Sequence, residues 1–288
     1  MRPFSFQNGM ESNVVVGVIG AGVIGGSIAL ASEAAGYEVV VYEPRQPPEN
    51  NAVAAFPQLA SPSEVAEAAD LIFVATPISA IIPVCQEIAG RMRAGAIASD
   101  TASTKEAFAA QASTLFQPRN HYIPSHPMAG SERSGSAAAR ADLFRGAAAI
   151  LCPDFVRERS HVILLARFWS DLGAIPIELS VTEHDRLVAA VSHLPHLLAA
   201  VLLQTAAASG STWSDVAGTG LREMTRIAGG PPDLWTEILL ANRQEILGRI
   251  QAFRDQLSIW AAALESADAK KLQGLLDDAR RDRERISP

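Results

Sequence analysis

The chain is poor in several things, and each shortage excludes a class of protein. Only two of its 288 residues are cysteine, Cys85 and Cys152, and they lack metal-ligand spacing. That excludes a disulfide-built scaffold and fits unpaired thiols in a reducing cytoplasm. Basic residues are not in excess: the net charge is −7 and the pI near 5.4. This argues against non-specific binding to nucleic acid and against docking on an anionic membrane. No window reaches the length of a transmembrane span. Residues 1–11 hold no apolar stretch long enough for a signal peptide and read as a polar leader, with Met10 an alternative start. No internal repeat or low-complexity segment is present. The remainder, 48% hydrophobic and 19% charged, is ordinary for a globular chain with room for two modest domains or one large one.

Against that plain background one stretch stands out, from Val14 to Ser27. Its β-branched opening reads as a strand buried on both faces, as in a parallel sheet. It ends in Gly20-x-Gly22-x-x-Gly25 and runs into a helix-forming segment, Ile28 to Ala31. Gly20 permits the tight turn, Gly22 lets a pyrophosphate approach the backbone, and Gly25 lets helix and strand pack closely. The first helical residues, Val23 and Ile24, then offer N–H groups to phosphate. A second strand, Glu38 to Tyr42, ends at Glu43, where a carboxylate accepts hydrogen bonds from a ribose diol and repels a 2′-phosphate. This favours NAD; Arg45, two residues on, keeps NADP as the alternative.

The α/β pattern continues. Ser61, with Glu64 completing a capping box, opens a short helix. Asp70–Ala75 is a strand ending at Thr76-Pro77, placed to border the cofactor, and a helix follows from about Ile78 to Arg91. Further strands are expected at Ala96–Asp100, His121–Ile123, Ala147–Leu151 and Ile175–Leu179, with a polar Gly/Pro loop over 124–135. Beyond about residue 180 the strand signals stop. Asp185–Thr205 has helical spacing interrupted by Pro195, and Asp233 opens a long amphipathic helix through Trp260. A charged helix from about Ala267 ends the chain. So long an apolar stripe points to packing between two subunits.

Several polar groups are candidates for chemistry, each with a plainer reading beside it. His126, in the Gly/Pro loop, is suited to take a proton near neutral pH, or simply bonds its own backbone. Ser103 either orients a substrate hydroxyl or caps a helix opened by Asp100–Glu106, Glu106 standing three residues on. Lys105 is a rival catalyst or a solvated first-turn residue. Ser192, His193 and His196 lie on a proline-bent helix downstream of His184-Asp185 and offer polar groups to an anionic substrate. Their spacing is not that of a metal site, and no metal is expected. Arg222 and Arg226, four apart on one helical face, are candidate carboxylate forks or surface ion pairs.

Taken in order, the glycine turn, SDTASTK at 99–105, HPMAGSERSG at 126–135, EHDRLVAAVSHLPH at 183–196 and TRIAGGPPDLW at 225–235 resemble the prephenate/arogenate (cyclohexadienyl) dehydrogenase family of tyrosine biosynthesis. NR at 242–243 agrees, so the resemblance runs from Val14 past Arg243. It implies an α/β Rossmann domain over residues 12–179 and an all-helical substrate and dimerisation domain over 180–288, as in 6-phosphogluconate-dehydrogenase-like proteins. The implied reaction is oxidative decarboxylation of prephenate, arogenate or both with NAD, in a cytoplasmic homodimer. His126 would accept the hydroxyl proton and Ser103 would align it. Arg226 would bind a substrate carboxylate, and Ser192, His193 and His196 would shape the pocket. Cofactor contacts fall to Gly20, Gly22, Val23, Ile24, Gly25, Glu43, Thr76, Pro77 and Ser103. Arg226 and the histidines together would supply a local basic pocket for a dianionic substrate. Neither a mutase segment before the glycine turn nor a regulatory segment after residue 288 is seen, so tyrosine inhibition would act at the active site. The rivals are a β-hydroxyacid-type dehydrogenase using Lys105, a relative acting on an amino-substituted prephenate, and a non-catalytic NAD-binding dimer.

Overall fold

A computed structural model describes residues 14–44, 52–116, 121–130 and 135–286. The polar leader, Arg45, the following Pro/Asn stretch to Asn51, and residues 131–134 of the Gly/Pro loop lie outside the described residues. The chain forms two compact units that part between Asn242 and Arg243.

The first unit is built on five parallel strands, β1 (Val15–Ile19), β2 (Glu38–Tyr42), β3 (Leu71–Val74), β4 (Ile97–Asp100) and β5 (His121–Tyr122), in the order β2-β1-β3-β4-β5. Helices α1 (Val23–Ala34), α2 (Pro62–Ala68), α3 (Ile78–Ile88) and α4 (Ala109–Phe116) alternate with them. The chain reverses direction of travel across the sheet between β1 and β3, and ligands bind at such a switch point, beyond the strands' carboxyl ends. A second sheet, β6 (Ser125–Pro127), β7 (Ala148–Leu151) and β8 (Ile175–Glu178), is antiparallel at its first pair and parallel at its second, with α5 (Arg159–Asp171) between β7 and β8.

All four residues of β3 are buried, because helices cover both faces of the sheet. Phe73 stacks on Phe168 of α5 at 4.8 Å and meets Trp169 edge-on at 5.5 Å. Ile72 and Val74 belong to the opposite core, which includes Ile81, Cys85 and Ile88 of α3. This alternation is the period of two that a strand imposes. At α2, Ser61 accepts the Glu64 N–H at 3.2 Å, as expected, while the Glu64 carboxylate accepts from Ala60 rather than from Ser61 itself.

The rest of the first unit is helical: α6 (Val181–Val188), a π-helical turn (Ala189–His193), α7 (Leu194–Ala207), α8 (Thr219–Thr225), a 3-10 turn (Arg226–Gly229) and α9 (Pro232–Ala241). The change from sheet to helix falls near residue 180, yet the seam between compact units falls after Asn242. Side chains of α6 and α9 are hydrogen-bonded into the sheet's carboxyl edge. Asp185 reaches Lys105 and Glu106, and Glu237 accepts from the Ser79 hydroxyl at 2.8 Å. The second unit is an antiparallel helix pair, α10 (Arg243–Glu265) and α11 (Ala269–Arg285), with Asp268 capping α11 through the Lys271 N–H.

Four expectations change. The helix expected at Ser103 starts only at Ala109. His126, expected in a loop, lies in strand β6. The long helix expected from Asp233 through Trp260 breaks at Asn242, whose side chain turns inward to bond the Asp185 carbonyl at 2.8 Å. Finally, the continuous helical run Val181–Ala207 is long and apolar enough, by length and composition alone, to cross a membrane, contrary to the window count. Its apolar window is 28% buried, and the side chains it buries include the polar His184, Asp185, His193 and His196.

Candidate active site

The glycine turn is shaped by contacts that only glycine tolerates. A Cβ on Gly25 would stand 1.9 Å from the Gly20 carbonyl oxygen, so α1 can begin this close to β1 only without a side chain there. A Cβ on Gly22 would meet nothing within 4 Å, so the space before the helix is open. Gly22 is the N-cap and supplies no side-chain cap, and the first turn holds no acidic residue. Among the described residues, the N–H groups at Val23 and Ile24 therefore gain no side-chain acceptor from the cap or the first turn, as a phosphate-binding helix start requires. Glu43 leans over this turn and accepts the Ala21 N–H at 2.7 Å. Beside it, after β3, the Thr76 hydroxyl is buried with no hydrogen-bond partner among the described residues, and Pro77 is exposed at the start of α3. An open cradle, an unspent helix terminus and an orphaned hydroxyl fit a dinucleotide.

Next along the sheet edge is a sealed polar cluster. Lys105 is fully buried and gives all three ammonium hydrogens: to Asp100 at 2.5 Å, to the Ala102 carbonyl at 2.9 Å and to the Ser125 carbonyl at 2.7 Å. Asp100 also accepts from the Ala102 N–H at 2.9 Å and from the Tyr122 hydroxyl at 2.6 Å. Ser99 and Ser125 share a hydrogen bond at 2.8 Å. A saturated, paired ammonium has no lone pair and no free proton position, so Lys105 is a structural pivot rather than a catalyst or a solvated residue. It ties β4 to β6 and thereby places His126.

His126 is buried, and its Nδ1 lies 2.8 Å from His184 Nε2; His184 Nδ1 lies 2.7 Å from Asp185 Oδ1. A carboxylate accepts only, so His184 carries its proton on Nδ1 and its Nε2 must accept. His126 then donates from Nδ1, which leaves its Nε2 as the basic atom. Asp185 also accepts the Lys105 and Glu106 N–H groups at 2.8 and 2.9 Å. That role removes the cap reading of Ser103: the turn before α4 is capped from a distant helix, and Ser103 is half-buried beside the site. Burial, with the neighbouring His184, Lys105 and His193, holds His126 well below the ordinary histidine range. Burial lowers His184 too, partly offset by Asp185.

The π turn arranges the remaining histidines. In a regular helix, nine residues turn through about 900°, which would put His184 and His193 on opposite faces; a π turn absorbs roughly one residue's rotation. Both are thus buried on the site side, and Ser192 is half-buried within the turn. Asn242 bridges His193 Nδ1 at 3.2 Å and the Asp185 carbonyl. His196 stacks on Trp235 at 3.4 Å between ring centroids. A Cβ on Gly230 would meet the Trp235 indole nitrogen at 2.6 Å and His196 at 3.2 Å, so the stack depends on that glycine. Burial holds His193 at about 4 and lowers His196. At neutral pH these histidines are neutral hydrogen-bonding groups. The cationic pocket expected from them is therefore not formed by imidazoles.

Arg226 and Arg222 do not share a continuous helical face as expected, because α8 ends at Thr225 and Arg226 begins a 3-10 turn. Both are exposed, on a segment packed against α7. The structure thus brings His126, His193 and His196 together with Asp185 and Asn242, neither of them an expected site residue, and with the Asp100–Lys105 pair, whose lysine is a support rather than the rival catalyst. For Asp185 and Asn242 the available signal was position: each stands inside a motif, next to His184 and Arg243.

Comparison with known proteins agrees with this geometry. Residues 28–178 match the model of the prephenate dehydrogenase nucleotide-binding domain, and residues 180–278 that of its dimerization domain. A prephenate dehydrogenase of Bacillus subtilis is 33% identical over 214 residues, 73% of this chain and 57% of that protein. The chain thus spans little more than half the length of that relative. The crystal structure of Synechocystis arogenate dehydrogenase superposes with a TM-score of 0.81 at 27% identity, covering 95% of this chain and all of that one. That of Aquifex aeolicus prephenate dehydrogenase with hydroxyphenyl propionate and NAD+ gives 0.85 at 24% identity over 96% and 99% of the two chains, a likeness of fold. With both domain models matched in order over nearly its whole length, the chain belongs to the prephenate dehydrogenase family of oxidoreductases.

Proposed function

We propose that the protein oxidatively decarboxylates a cyclohexadienol of the prephenate/arogenate type with NAD+ as oxidant and His126 as general base. The observation that carries this reading is the line from Asp185 through His184 to His126, which leaves a neutral imidazole with Nε2 as its basic atom. NAD+, when bound, supplies the hydride acceptor. His126 Nε2 takes the proton of the ring hydroxyl as that carbon gives up its hydride. Its new positive charge is shared through His184 with the Asp185 carboxylate. The dienone so formed expels its ring carboxylate as CO2 and becomes aromatic, and the proton held by His126 returns to the phenolate oxygen. No net proton is released, and aromatisation makes the step effectively irreversible.

Ser103, close by, aligns the hydroxyl. His193, His196 and the Trp235 face shape the pocket around the ring side chain, with Ser192 on the π turn beside them. Arg226, carried on the turn that ends at Gly230 beside the Trp235–His196 stack, is the expected partner of a substrate carboxylate. Glu43 at the glycine turn supports NAD over NADP. Exposed Leu247, Phe253, Leu257, Leu264 and Leu276 on the α10–α11 pair support a homodimer. Tyrosine, as a product analogue, would compete for the same pocket.

The test is formation of reduced nicotinamide with prephenate and with arogenate, each offered NAD+ and NADP+. Turnover with NAD+ and at least one of the two is expected, and the ratios define substrate and cofactor preference. Tight NAD+ binding without turnover of either substrate would overturn the assignment.

A further inference from the structure

At the opposite end of the sheet lies a second group of histidines. His121 opens β5 and pairs in register with Ile97, the first residue of β4. It is therefore three residues of strand, about 10 Å, from the level of Asp100 and the active site. The start of α5 brings up Glu158, its N-cap, and His161. The His121 and His161 rings lie face to face, 3.5 Å between centroids and 23° between planes. His161 Nδ1 is buried, makes no hydrogen bond among the described residues, and stands 3.7 Å from the Glu158 carboxylate. One nitrogen of each ring and one oxygen of Glu158 all lie within 4.8 Å of one another.

We propose that His121, Glu158 and His161 form a binding site for a divalent transition-metal ion of the Zn2+ class, which pins the edge strand β5 to the start of α5. Two imidazole nitrogens and one carboxylate oxygen are a borderline donor set that suits Zn2+ and its neighbours, with water completing the coordination. Hard cations such as Mg2+ and Ca2+ call for oxygen ligands and are disfavoured here. Bonds of about 2.0–2.2 Å in a tetrahedral site put ligand atoms roughly 3.3 Å apart. The ligand atoms need to draw in by about 1.5 Å at most, and the two rings must swing out of their face-to-face stack so that both lone pairs meet at one point; the exposed Glu158 side chain and the half-buried His121 ring leave room for both movements. Glu158 also offsets the positive end of α5, which alone would repel a cation.

The experiment uses tag-free full-length protein stripped with chelator and titrated with ZnCl2 by calorimetry, with Co2+ absorption as an independent probe of coordination. One ion per chain is expected. His121→Ala and His161→Ala should each weaken binding by about tenfold or more and abolish the Co2+ ligand-field band; Glu158→Gln should weaken it less. Circular dichroism and NAD+ binding report whether each variant is folded. Equal affinity in the parent and all three folded variants would place the ion elsewhere, for instance on the active-site histidines, and overturn the proposal. A folded parent that binds no Zn2+ would overturn it as well.

Discussion

Two histidine pairs, one built on β6 of the smaller sheet and one on β5 of the larger, show how orientation alone divides the chemistry of imidazole. His126 and His184 meet edge-on, ring centroids 5.0 Å apart and planes at 61°, with a nitrogen of each in hydrogen-bond contact. A carboxylate ends the line, so protonation at one end is felt at the other. His121 and His161 lie face to face, and neither donates to the other. An edge-on pair transmits a proton; a stacked pair leaves its lone pairs for a third group. Burial tilts His126, His184 and His121 toward the neutral form. Their partners, rather than their own basicity, decide what each can do.

Substitution breaks the comparison most sharply at the base. His126→Asn should lower kcat by about 10²–10⁴-fold with little change in substrate KM, the usual contribution of a positioned general base. His121→Asn, at the other end of the strands, should leave kcat unchanged. Steady-state kinetics on both variants would erase the distinction if they lost turnover equally.

A second contrast separates the sealed cluster beside the base from the ion pairs on the surface. Lys105→Met strands the Asp100 carboxylate in the interior and should cost about 3–5 kcal/mol of stability. Arg91→Met removes an exposed partner of Glu67 and should cost about 0–1 kcal/mol. Denaturant midpoints measure both. Similar losses would mean that Lys105 is not the pivot of β4 and β6.

A further effect is expected on pH. The buried imidazoles titrate lower in the folded chain than in the unfolded one. Above about pH 6.5 both states are neutral and stability is complete. As the pH falls below that, the unfolded chain takes up protons that the folded chain refuses, so stability declines, and for His193 the decline continues to about 4. That histidine alone accounts for up to about 3 kcal/mol. Unfolding free energies across this window should fall with pH in the parent, and less steeply in His193→Gln. A flat profile would show that the histidines are protonated in the native state.

Much of the fold was legible because its signals are local. The strand, glycine turn and helix from Val15 to Ala34 sit within twenty residues, and sterics at Gly25 admit no other side chain. Strands β1 and β3 read correctly because, away from the polar site, residues covered on both faces are apolar. The misreadings share one cause, a distant side chain that overrides a local pattern. Ser103 and Glu106 have the spacing of a capping box, but Asp185 takes the N–H groups of residues 105 and 106 from eighty residues away. The helix from Asp233 has an unbroken apolar stripe, but Asn242 is drawn inward by Asp185 and His193. Lys105 looked solvated because nothing near it in the chain shows that β6 will supply the Ser125 carbonyl.

By itself the sequence determined the Rossmann core, the phosphate-binding turn, the acidic residue beside it, and the identity of the histidines, because each follows from period, sterics or residue type over a short span. Only the tertiary structure decided which nitrogen of His126 is basic, that the histidines around it are neutral, and that Lys105 is spent. Proton positions and charge states depend on partners and burial, and these come from residues far apart in the chain that meet only once it has folded.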